Sequence, residues 1–83
     1  MTELTLHIVS PDGTLVNDVP VTAVRRPGAQ APFTVLPGHA AIISPLLPGI
    51  VSYDTADGTQ TLPIRSGFVR VLNNRVELAV ETE

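Results

Sequence analysis

Two histidines, a few serines and a scatter of acids are the residues that could do chemistry in this 83-residue chain. A zinc site needs three or four ligands at suitable spacing. His7 and His39 stand alone and there is no cysteine, so that set is not supplied. Ser44 and Ser66 lie in "IISPL" and "RSGFV", and neither stretch is the G-x-S-x-G elbow of a serine hydrolase. Asp12, Asp18, Asp54 and Asp57 flank turn sequences, where side-chain hydrogen bonds to the backbone account for them. Arg25 and Arg26 read as a small solvated cationic spot in a turn before Pro27. All five cations are arginine. Without lysine there is no Schiff base, no P-loop and no carrier lysine on a hairpin. The residues give no catalytic constellation, and no cofactor or metal site is expected.

The elements that must hold these side chains are strands. Period two dominates the chain. In "LTLHIV", Leu4, Leu6 and Ile8 share one face and His7 lies on the other. "SPDG" at 10–13 reads as a turn. Val19, Val21 and Ala23 alternate in the stretch that follows. Pro20 cannot donate to a ladder, so that strand lies at a sheet edge or starts near Pro20, and Pro63 suggests an edge for "TQTLPI". "GIVSYD" is a short strand, followed by a hairpin connection at 54–59 with Gly58 free to take a positive φ. "GFVRVLNNRVELAV" turns at Asn73-Asn74, because asparagine tolerates the left-handed region. That turn sets Leu72 against Arg75, Val71 against Val76, Arg70 against Glu77 and Val69 against Leu78. A slip of one residue destroys both the aliphatic match and the charge match.

No window supports a helix. The candidate at 39–47 is cut by Pro45 and Pro48 to at most one turn. Residues 1–83 therefore read as one all-β domain, a sandwich or barrel. The chain has 43% hydrophobic residues and a net charge of -3. No apolar run is long enough to span a bilayer, and "MTELTLHIV" lacks the basic start of a signal peptide, so a soluble, unprocessed protein is expected. With no basic stripe and 4% aromatic residues, nucleic-acid binding is not expected. The odd segment is "FTVLPGHAAIISPLLPG", residues 33–49. It is punctuated by proline yet rich in aliphatics, which must pack inward or meet a partner.

Residues 27–51 resemble the signature of the epsilon subunit of F-type ATP synthases, a family called delta in mitochondria. Phe33, Val35, Leu36, Pro37, Gly38, His39, Ala40, Ile43, Ser44, Leu46, Pro48 and Gly49 fall in register with its F-G-(V/I)-L-P-G-H-A-P-L-(L/I)-(T/S)-x-L-x-P-G pattern. "LTLHIVSPDGTLV" and "SGFVRVLNNRVELAVETE" resemble the family's opening and closing blocks, at family spacing. The resemblance implies a flattened β-sandwich of about ten short, mostly antiparallel strands. It also implies a non-enzymatic role in the central stalk, linking the gamma subunit to the c-ring and coupling ion flow to ATP synthesis. The implied place is the cytoplasmic face of the inner membrane, peripheral and through the complex alone.

By position, the resemblance implies contacts to gamma or the ring at Ser10, Pro32, His39, Ile42, Ile43 and Ser44. Phe33, Val35 and Leu36 are expected in the core. Pro32 stands where the family often has an acid that meets the ring, and Ala41 where it often has proline. Family members usually continue into a C-terminal helical hairpin that can bind ATP. This sequence ends just after Val80, so neither that hairpin nor nucleotide binding is expected. The competing reading is a free-standing β-module for a small molecule or peptide, which requires a concave pocket.

Overall fold

The computed structural model describes residues 3–26 and 33–82. Among the described residues there are eight strands and no helix. They are β1 (Leu4–Ser10), β2 (Gly13–Val21), β3 (Ala23–Arg26), β4 (Phe33–Val35), β5 (Ile42–Leu46), β6 (Gly49–Thr55), β7 (Gly58–Leu72) and β8 (Arg75–Thr82). Their order is β2-β1-β8-β7-β6-β3-β4, with β5 also on β7. Every pair is antiparallel except β1 with β8.

The long β7 joins the two halves of this sheet. It pairs with β8 along one side, from Ile64 to Leu72. Along the other side it takes β6 as far as Ile64, then β5 from Gly67. The ladder with β8 shifts between Ile64 and Ser66, so Arg65 is an extra residue. A bulge of this kind moves the inward positions by one. Leu62 and Ile64 point inward before it; Val69 and Val71 do so after it. Next to the bulge, Gly67 lies flat against β8. A Cβ there would run into the Ala79 carbonyl oxygen.

The two halves close on one apolar cluster. β1, β7 and β8 supply Leu4, Leu6, Ile8, Val69, Val71, Val76 and Leu78; the other half supplies Val24, Val35 and Val51. Each is at most 1% exposed, and burying one such side chain contributes about 1.5–3 kcal/mol.

The Asn73-Asn74 hairpin has the register read from the sequence. Both asparagines are left-handed, with φ of 50° and 63°, as a two-residue type I′ turn requires. β2 is an edge strand, in line with Pro20. Pro63 belongs to an interior strand instead. The ladder tolerates it because Pro63 lies beyond Ile64, where the pairing of β7 with β8 ends. Arg25 and Arg26 are not in a turn but on β3, with Arg26 buried and its pKa lowered by desolvation. The proline-rich segment is not a helical turn. Ile42–Leu46 forms β5, and Pro45 costs little there because β5 pairs on one side only.

Candidate functional site

Strands β5, β7, β8 and β1 lie side by side, so their outward side chains form rows across the sheet. One row is Pro45, Phe68, Ala79 and Val9. The next is Ile43, Arg70, Glu77 and His7. The third ends the face with Leu72, Arg75 and Thr5. Ile43 is 77% exposed, Phe68 60% and Leu72 44%. Large apolar side chains on neighbouring strands make a contiguous patch, which sets them apart from scattered surface aliphatics. The depressions along this face are open troughs. One is lined by His7, Val9, Ile43, Phe68, Arg70 and Glu77 among others, and another by Ser10, Pro45, Phe68 and Ala79.

Charges cross the patch as one chain of contacts. Arg70 Nε lies 3.3 Å from Glu77 Oε1, and Arg75 Nε 3.3 Å from Glu77 Oε2. Arg75 Nη2 continues to Asp18 Oδ1 at 2.9 Å, and that same oxygen is 3.2 Å from His7 Nδ1. Asp18 first, then Glu77, stabilise the charged Arg75 guanidinium and raise its pKa. Two guanidiniums and two carboxylates thus neutralise one another within the face.

The opposite outer surface, over β3, β4, β6 and the start of β7, is polar. Arg25 grips Asp54 through two nitrogens, Nη1 to Oδ2 at 3.0 Å and Nη2 to Oδ1 at 2.5 Å. Its Nε donates to Ser52 Oγ at 3.0 Å, and Thr59 Oγ1 donates to Asp54 Oδ1 at 2.8 Å. Arg25 chiefly, with Thr59, holds the Asp54 carboxyl at about 2, below its ordinary 3.8. Asp54 is therefore no turn-capping acid: it sits on β6 and closes a clamp between strands.

The residues expected at a contact fall in different places. Ser10 ends β1 inside its turn; its hydroxyl donates to the Gly13 carbonyl at 3.2 Å and accepts from the Asp12 amide at 3.2 Å. It also lines the trough beside Phe68. Ile43 is the most exposed large apolar side chain of the face. Ile42 and Ser44 point the other way along β5, and Ile42 packs against the core. His39 is half-buried, with Nδ1 2.7 Å from the Ala40 carbonyl oxygen. Its loop is tied to the β7–β8 turn by the Gly38 amide, which donates to Asn74 Oδ1 at 2.7 Å. Pro32 lies outside the described residues, as does the side chain of Phe33. Leu36 is 53% exposed, not in the core, whereas Val35 is fully buried.

Sequence reasoning misses Phe68 and Leu72 as surface residues. The signal is present: with Val69 and Val71 inward, alternation sends Phe68 and Leu72 outward. Asp18 gives no such signal, because its approach to His7 and Arg75 depends on a bulge in β2.

Residues 3–83 match the family described as ATP synthase, Delta/Epsilon chain, beta-sandwich domain. The ATP synthase epsilon chain of Paracoccus denitrificans is 43% identical over 75 residues, covering 89% of this chain and 50% of that one. That of Aliarcobacter butzleri is 35% identical over 81 residues, covering 98% and 64%. This chain thus spans half to roughly two thirds of these relatives. A chain in the mitochondrial ATP synthase structure of Euglena gracilis, which holds OSCP, F1 and the c-ring, superposes with a TM-score of 0.89. It is 23% identical, and the match covers 96% of this chain and 51% of that one, a likeness of fold. A chain in the central stalk and c-ring of the Tetrahymena thermophila mitochondrial ATP synthase superposes with a TM-score of 0.78 at 15% identity, covering 96% and 64%. The fold, the ordered sequence blocks and the relatives agree: this chain belongs to the delta/epsilon family of ATP synthase chains, in its β-sandwich part.

Proposed function

We propose that this chain is a non-catalytic central-stalk subunit of a rotary ATP synthase, holding the gamma subunit to the c-ring and so coupling ion flow to ATP synthesis. The observation that carries the reading is the apolar outer face of β5, β7, β8 and β1. It couples large exposed anchors, Ile43 and Phe68, to charges already neutralised within the face. A surface so built loses little by desolvation and gains from apolar burial when a partner covers it. Gamma is the partner this reading assigns to the face. The same reading keeps His39 and Pro32 as contact positions for gamma or the ring, while Ser44, whose side chain turns inward with Val69, supports the face from behind. The subunit then lies peripherally on the cytoplasmic face of the inner membrane and meets the membrane through the complex. The assemblies that hold the two matched folds, F1 with the c-ring and the central stalk with the c-ring, support this set of partners. Open troughs suit a protein partner better than the closed concave pocket a small molecule needs.

The test is co-elution with the cognate gamma subunit. The native chain is expected to co-elute. Ile43→Asp combined with Phe68→Asp is expected to weaken association about a hundredfold, as loss of two central anchors implies. The variant keeps its thermal stability, since both positions are exposed. Failure of the native chain to bind either gamma or the isolated ring would end this reading.

A further inference from the structure

His7 stands in the middle row of the apolar face, held by an arrangement that packing alone does not require. On one side it faces Glu77 of β8 in register. On the other side β2 bulges. Between the pairs Leu6–Val19 and Ile8–Val16, two residues, Asn17 and Asp18, oppose His7 alone. Asp18 takes a left-handed backbone, φ 54°, a conformation that residues with a side chain adopt sparingly. In that position its carboxylate reaches both His7 Nδ1, at 3.2 Å, and Arg75, at 2.9 Å. Nδ1 is fully buried and forms no aligned hydrogen bond, while the His7 side chain as a whole is 24% exposed.

We infer that His7 makes docking on this face proton-linked: the face binds its partner with His7 neutral and releases a proton from a protonated His7 on binding. The inference rests on the reading that gamma covers this face. A carboxylate beside Nδ1 favours a proton on that nitrogen, because a lone pair facing the anion would be repelled. Nε2 is then the nitrogen that differs between the neutral and the protonated ring. It is an acceptor when His7 is neutral and a charged donor when it is not.

The charged groups around His7 are Asp18 from β2, Glu77 and Arg75 from β8, and Arg70 from β7. Their charges sum to zero. A protonated His7 leaves one positive charge in excess, and the Asp18 oxygen nearest to it already serves Arg75. Covering an unbalanced charge costs more than covering a neutral network. Acid therefore opposes docking without touching the apolar anchors.

Calorimetric titration of the full chain with gamma, in two buffers of different ionisation enthalpy, reads this out. The native chain is expected to bind about tenfold more weakly at about pH 5.5 than at about pH 8, across the range in which histidine side chains change charge. Proton release should appear on binding near the lower pH. His7→Gln should lose both effects. Equal pH dependence in the variant, or tighter native binding in acid, overturns the inference alone. No binding at either pH overturns the docking reading, and this inference with it. Nitrogen chemical shifts of the free chain give a second check. They should place the neutral proton on Nδ1 in the native chain and shift it toward Nε2 in Asp18→Asn. A native Nε2–H form overturns the proposal.

Discussion

The two outer faces of this sandwich solve the same problem in opposite ways. Each must present a sheet to its surroundings without inviting the wrong partner. The face over β3 and β6 does so by closing on itself, with Arg25, Asp54, Ser52 and Thr59 satisfying one another. Its exposed aliphatics, Leu36 and Ile50, lie at 53% and 61% exposure, one after β4 and one at the start of β6. Singly placed apolar side chains are normal on any surface. The face over β5, β7, β8 and β1 instead lays apolar residues on adjacent strands and threads a neutral line of charge between them. A surface of the first kind favours solvent, and one of the second kind favours a protein. The difference lies in arrangement more than composition, since both faces carry arginine paired with acids.

The two faces depend on one junction, and breaking it should have the largest effect on both. Gly67 sits beside the bulge at which β7 passes from one half of the sheet to the other. A methyl group there would collide with a backbone carbonyl, and backbone cannot swing aside as a side chain can. Gly67→Ala should therefore cost about 3 kcal/mol. Denaturant unfolding measures it as a lower midpoint. A variant as stable as the native chain would show that the halves adjust freely, and that the apolar face is not held in shape by this contact.

How much of this difference is legible in the sequence follows from the range of the interactions. The β7–β8 hairpin is legible because its register is local: Asn73-Asn74 fixes the turn, and four cross-strand pairs agree with it. Pro20 points to the β2 edge, though by itself it fits a strand that begins there equally well. The single sheet folded on itself is not, because it depends on Arg65 being an extra residue. Nothing in "LPIRSGFV" marks the extra residue except the change in which valines and isoleucines point inward. Arg25 and Asp54 each read as local turn residues because their partnership spans 29 residues of chain. Leu36 reads as core from its neighbours Val35 and Phe33, yet the alternation that buries Val35 turns Leu36 outward. On the apolar face, the residues that the sequence singles out are Ile43 and, beside its trough, Ser10. The charged row of this face requires knowing which strands are neighbours.

The polar face can be tested through acid. Asp54 holds its proton with a pKa of about 2 when folded and 3.8 ordinarily, so the clamp stabilises the fold at any pH above the ordinary value. That contribution is lost as pH falls from 3.8 toward 2, where the folded carboxyl finally protonates. Thermal melting across this range should show a slope for the native chain that is shallower in Asp54→Asn. If Asp54→Asn leaves the slope unchanged, the clamp is not what distinguishes the polar face.

The smallest effect is expected within the apolar face itself. Arg70 and Glu77 are opposite one another in register and lie 3.3 Å apart, but Arg70 is 57% and Glu77 35% exposed in their side chains. Water screens such a pair, and Glu77 keeps a second partner in Arg75 when Arg70 is removed. A double-mutant cycle with Arg70→Ala and Glu77→Ala should give a coupling of no more than about 1 kcal/mol in the isolated chain. Salt should weaken it further. In a complex that covers the face, the screening is removed and the same cycle, read from binding, should give a larger coupling. A large coupling in the free chain would mean that the row is already shielded, and that the face is closed on itself as firmly as the one behind it.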